Sequence, residues 1–241
     1  MSNDSGSYEN QPLPIPVSAV ALEDRVAFIR NTYLHLAVAV MGFVFIEFLL
    51  FQLPIAGYYV EFVFSTSFNW LIILGLFMLV GNLANRWAHS GTSLAMQYMG
   101  LVLYVIAEAI LFLPLLVVAA NYSTDNVIPT AALLTFTVFT GLSGYVLISR
   151  ADFSFLRMGL TIAGFMALGL IVASILFGFD LGLVFSVVMV GLASGYILYT
   201  TSNVLHHYRT DQYVAASLAL FASMALMFWY ILRILMRLSR R

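Results

Sequence analysis

Seven long apolar segments separated by short polar ones organise the chain. They lie at about 33–54, 68–84, 94–119, 128–148, 156–178, 181–201 and 212–236. Each approaches the roughly 20 residues that a helix needs to cross a bilayer. The apolar runs are continuous and do not alternate with period two, so they predict helices rather than barrel strands. The pattern predicts an all-α integral membrane protein, with a seven-helix domain at 28–241 behind a polar, disordered tail at 1–27. The tail carries Asp4, Glu9, Glu23 and Asp24 and is interrupted by Pro12, Pro14 and Pro16. It lacks the basic start and following apolar run of a cleavable signal.

Composition narrows the class. Hydrophobic residues make up 62 % of the 241 and charged residues 9 %, against roughly 45–50 % and 25 % in soluble proteins. A net charge of −1 excludes a nucleic-acid binder that works through a basic patch. There is no Cys, so disulfides, thiolate nucleophiles and Cys-ligated metals are impossible.

All ten basic residues are Arg, and their distribution predicts orientation. Arg25 and Arg30 precede the first span, Arg86 follows the second, Arg150 and Arg157 bracket the fourth loop, and Arg209 lies in the sixth. The intervening loops have none. The alternation puts the N-terminus in the cytoplasm. Arg233, Arg237, Arg240 and Arg241 break it, since seven full spans would carry them to the opposite side. Either the last helix spans against the rule or one segment is re-entrant.

Three strings stand out: FIRNTYLHLA from Phe28, SRADFSFL from Ser149 and TSNVLHHYRTDQYVAASLALFAS from Thr201. Together with seven short-looped spans, they resemble the Bax inhibitor-1 family, and within it the bacterial YccA-like branch. The resemblance covers the chain from about Phe28 onward. It implies six helices around a central seventh, a place in the bacterial inner membrane, and one of two roles. One is modulation of the membrane-bound AAA protease FtsH; the other is passive calcium or proton leak. In eukaryotes the family is linked to suppression of cell death. The residues of the seventh span agree with a central position, because Ala215, Ala219, Ala222, Ser223 and Leu226 form a mostly small face. Gly191 and Gly195 offer a second close-packing pair in the sixth span.

Charged side chains within a span cost roughly 2.5–3.5 kcal/mol at mid-bilayer on insertion scales. Glu47 lies deep in the first span and Glu108 near the middle of the third, with no Arg at matching depth. Each is expected to be a proton- or cation-responsive site in a wet cavity, or a neutral carboxyl bonded to a neighbouring helix. Asp180, between the fifth and sixth spans, is shallow enough to meet interfacial water. Members of the family with calcium leak carry a pair of acids, late in the sixth span and in the seventh. By the flanking strings, those positions are Thr200 and Ser223 here. Hydroxyls supply no charge, so the resemblance implies that a pH-gated latch is missing at this pair.

Arg150 and Asp152 stand in a tight loop in which Asp152 or Ser154 is expected to cap the following helix, with partner recognition second. His206 and His207 with Asp211 lack a third nearby His or Cys, so neither a metal nor a cofactor is expected. No HExxH, P-loop or GxSxG string is present, and no enzyme is expected. Two function classes remain, a protease regulator and an ion leak pathway tuned by Glu47 or Glu108.

Overall fold

The computed structural model describes residues 15–91, 93–123 and 126–239. They form eight α-helices, of which seven are long and apolar enough to span a membrane. These are α1 (Leu22–Gln52), α3 (Ser67–Ala88), α4 (Leu94–Tyr122), α5 (Val127–Ser149), α6 (Leu156–Phe177), α7 (Gly182–His206) and α8 (Tyr213–Ser239). The eighth is a short helix, α2 (Ile55–Ser65), between α1 and α3.

The helices begin and end where side chains satisfy the free backbone groups. Thr66 caps α3 by accepting from the Asn69 N–H at 3.3 Å, and Ser93 caps α4 by accepting from Met96 at 3.2 Å. Gly178 closes α6 in the left-handed region at φ 72°. Arg150 closes α5 in the same region at φ 54°, the one described non-glycine residue there.

The core sits on α8. Fourteen of its residues are buried, and it packs against α1, α3, α4, α5 and α7. Adjacent pairs run α1–α4, α4–α3, α3–α6, α6–α7 and α7–α5 around it. The outward faces are apolar: Val38, Met41, Phe45 and Phe48 of α1 and Val184, Val187 and Val188 of α7 are all more than half exposed. Such a surface suits contact with lipid. Of the small face of α8, Ala215 and Ser223 are buried, whereas Ala219, Ala222 and Leu226 are half-buried. Of the glycine pair, Gly195 meets Leu160 of α6 whereas Gly191 meets open space.

Closest approach occurs between α3 and α4. A Cβ on Gly100 would stand 2.5 Å from the Ala84 carbonyl oxygen and 2.6 Å from the Ala88 nitrogen. Only glycine lets these two backbones meet.

One end of the bundle gathers the start of α1 and the α3–α4, α5–α6 and α7–α8 connections. The Val17 N–H donates to the Tyr208 carbonyl at 2.8 Å, and Arg25 donates to the Leu205 carbonyl at 3.4 Å. His89 stacks on Tyr208. Arg25, Arg30, Arg86, Arg150, Arg157 and Arg209 all belong to this arginine end. The α6–α7 connection and the C-terminal turn of α8 share the other end, where Arg237 pairs with Asp180.

Two expectations need correction. The first helix starts at Leu22, eleven residues before the expected span, so Arg25 and Arg30 are inside it. Acidic Glu23 and Asp24 suit its first turn, where the helix dipole favours negative charge. Residues 15–27 are not a free tail, because Val17 is fully buried and Ser18 donates to the His206 carbonyl at 3.1 Å. Residues 1–14, with Asp4, Glu9, Pro12 and Pro14, lie outside the described residues, as do Arg240 and Arg241. The last span, α8, runs its full length and ends opposite the arginine end.

Candidate functional site

Three successive residues near the end of α7 point to three different neighbours, as steps of about 100° around a helix require. The Thr200 hydroxyl meets Ser223 of α8 at 3.4 Å. Thr201 meets Ser143 of α5 at 3.2 Å. Ser202 accepts from the Phe153 N–H at 2.9 Å and donates to Asp152 at 3.2 Å, both in the α5–α6 connection. Thr200 and Ser223, the two positions to which the resemblance assigned an acid pair, are therefore neighbours here, as hydroxyls. Ser223 also donates to the Ala219 carbonyl one turn back at 2.9 Å.

Ser223 lies in the wall of a cavity of about 450 Å³ bounded by α3, α4, α6, α7 and α8. Glu108 lines the same cavity, with the Tyr104 phenol one turn back on α4 engaging its carboxyl. Tyr196 of α7 reaches across to α6 and donates to the Leu160 carbonyl at 2.9 Å. A Cβ on Gly164 would stand 2.8 Å from that hydroxyl, so glycine is what admits it. Tyr230 and Arg233 of α8 also lie in the wall. The rest of the wall is apolar or aromatic, including Trp70 stacked on Trp229 at 6.0 Å.

Glu47 is not part of this cavity. It is buried on α1, and neither of its carboxyl oxygens has a hydrogen-bond partner. Asp180 sits on the outside, where it accepts from the Gly182 N–H at 3.0 Å and pairs with Arg237. The Arg237 guanidinium holds its carboxyl below the usual carboxylate range.

The α5–α6 connection corrects the capping expectation. Neither Asp152 nor Ser154 caps α6; Phe155 holds that position without a side-chain bond. Asp152 instead accepts from the Ser154 N–H at 2.8 Å, and that bond lowers its carboxyl pKa. With Ser202, it ties the connection to α7. Arg150 terminates α5 rather than serving α6.

Among the described residues, no three His, Cys, Asp or Glu side chains converge as a metal site. His206 bonds the Ser202 carbonyl of its own helix at 3.0 Å, and His207 is exposed. His35 bridges the Asn31 carbonyl at 2.7 Å and the Tyr98 hydroxyl at 2.8 Å. Nothing in the sequence marks Tyr104 or Tyr196, and Arg233 enters the sequence pattern only through topology.

Seven spans, the last of them buried among its neighbours, with ionisable groups walled inside, define a polytopic helical membrane protein. The chain belongs to the Bax inhibitor-1 family: residues 25–240 match the model of the family described as inhibitor of apoptosis-promoting Bax1. An uncharacterised protein of Pseudomonas aeruginosa is 33 % identical over 222 residues, covering 90 % of this chain and 92 % of its own. The Escherichia coli modulator of FtsH protease YccA is 32 % identical over 168 residues, covering 69 % and 72 %. Bax inhibitor 1 of Schizosaccharomyces pombe is 26 % identical over 232 residues, covering 91 % and 80 %.

Proposed function

We propose that this protein is a non-enzymatic regulator of membrane-protein quality control that modulates an FtsH-type membrane-bound AAA protease in the bacterial inner membrane. The observation that carries the reading is the likeness to the Escherichia coli modulator of FtsH protease over 69 % of the chain. The charge pattern supports it. Six arginines gathered at one end favour a cytoplasmic N-terminus by the positive-inside rule, against Arg233 and Arg237 at the other. Ile15, the first described residue, then lies on the side where such a protease unfolds its substrates. The segment that follows is pinned through Val17 and Ser18 to the α7–α8 connection. A processive protease that grips the terminus must strip this contact and then extract seven packed spans. The protein thereby occupies the protease without being quickly consumed.

The test is a proteoliposome assay of the protease on an unrelated membrane substrate, with and without this protein. Slower substrate turnover at equimolar protein is expected; unchanged turnover at a large excess contradicts the reading.

A second reading, passive calcium or proton leak, is favoured by Glu108 in a cavity wall and by the unpartnered carboxyl of Glu47. Flux into vesicles carrying calcium and proton dyes separates the two, since regulation of a protease requires no flux.

A further inference from the structure

We propose that the cavity between α3, α4, α6, α7 and α8 is a lipid-binding site that takes one acyl chain of an anionic phospholipid, whose phosphate is held by Arg233. This goes beyond the protease reading and does not depend on it.

The shape comes first. A volume of about 450 Å³ lies within the roughly 300–1,000 Å³ of sites that hold small molecules. A second hollow shares Trp70, Trp229 and Arg233 with the first and continues to Thr66, Ser67 and Gly178 at the end of the bundle. The two hollows adjoin along these three residues, and the line from Ser223 through Arg233 leads toward the α6–α7 connection. From Ser223 to Arg233 is ten residues of α8, about 15 Å at helical rise. That is half of a hydrocarbon core about 30 Å thick, the depth of a single leaflet. The side walls are α3 and α6, both peripheral helices whose outer faces carry exposed Leu76, Leu79, Phe165 and Met166. An occupant therefore enters sideways from the bilayer.

The chemistry of the two ends differs. At the inner end, Glu108 and Tyr104 engage each other, which leaves Leu74, Phe77, Leu168 and Leu226 to an apolar chain. At the mouth, Arg233 is half-buried and makes no ion pair or hydrogen bond with another described residue. Asp180, the nearby acid, is hydrogen-bonded by Arg237 and feels Arg233 only through its charge, without contact. An Arg at the depth of the interface, beside stacked Trp70 and Trp229, is placed where lipid headgroups lie. Its planar fork matches a phosphate by paired hydrogen bonds. The same charge opposes the entry of a cation through this mouth, so the cleft selects an anionic amphiphile rather than calcium.

The full-length protein, purified in detergent and stripped of lipid, is offered phosphatidylglycerol or phosphatidylethanolamine, and retained lipid is read by native mass spectrometry. One phosphatidylglycerol is expected to be retained in preference to phosphatidylethanolamine. Arg233→Gln weakens its retention by about tenfold or more, the size expected for loss of a charged hydrogen-bonding partner. Arg157→Gln, an exposed arginine at the opposite end, leaves retention unchanged. Leu168→Trp fills the cavity with an apolar side chain and abolishes retention even if Arg233→Gln proves too unstable to purify. Equal retention of the two lipids, or wild-type retention by either Arg233→Gln or Leu168→Trp, overturns the proposal.

Discussion

Pro114 interrupts α4 without breaking it, and the reason is a tyrosine on another helix. Proline has no N–H, so the carbonyl of Ile110 loses its helical donor. The Tyr59 hydroxyl of α2 supplies one at 3.1 Å. In lipid, a backbone group left unpaired is costly, so this bond both repairs α4 and fixes α2 against it. Tyr59→Phe is expected to lower stability by about 0.5–1.5 kcal/mol, measured by thermal unfolding in micelles. In a Pro114→Ala background the same substitution should cost much less, because the helix then satisfies Ile110 itself. An equal cost in both backgrounds would detach Tyr59 from the proline. At the same scale, Thr200 and Ser223 meet as hydroxyls where a titrating pair would need acids. Calcium flux in dye-loaded vesicles is expected to be weak and nearly flat between pH of about 6 and 8. Thr200→Asp with Ser223→Asp should introduce pH dependence there, since two carboxylates so close share a proton. A strong pH-gated flux in the unmodified protein contradicts this. That pairing was legible from flanking strings; the Tyr59 bond was not, because periodicity carries no information about which distant hydroxyl meets which carbonyl.

Between elements, the clearest constraint is the backbone contact of α3 with α4 at Gly100. Gly100→Ala forces its methyl into the Ala84 carbonyl and the Ala88 amide, neither of which can swing aside as a side chain would. A loss of about 1–3 kcal/mol is expected, the usual range for overpacking. Gly141→Ala, whose Cβ meets nothing within 4 Å, should be neutral or slightly stabilising; equal losses at both positions would mean that helix packing is not what Gly100 serves. Spans two to seven were legible because a bilayer demands long unbroken apolar runs. The start of α1 was not. Its first turns hold Glu23, Asp24, Arg25 and Arg30, polar enough to look like a tail, and they are helical because the helix projects beyond the apolar core. Residues 55–65 were missed as a helix for the opposite reason, being too short to register as a span and lying directly after Pro54.

For the whole molecule, the arginines define two ends that the contacts reproduce. Arg25 bonds a carbonyl near the end of α7, while Arg237 pairs with Asp180 at the far side. The cavity that unites Ser223, Glu108 and Arg233 could not be read along the chain, because its walls come from five helices. The contacts of Val17 and Ser18 also decide how the N-terminal segment can be tested. Deleting residues 2–24 removes those contacts together with the first turn of α1, so it confounds folding with recognition; deleting 2–14 leaves every described residue in place. The central claim is that a membrane protease engages this protein through its N-terminus. It is tested most directly by pulse-chase turnover of the full chain and of the 2–14 deletion, in cells with and without the protease. The deletion is expected to lengthen the lifetime only where the protease is present. Equal lifetimes of the two forms in protease-bearing cells would contradict it.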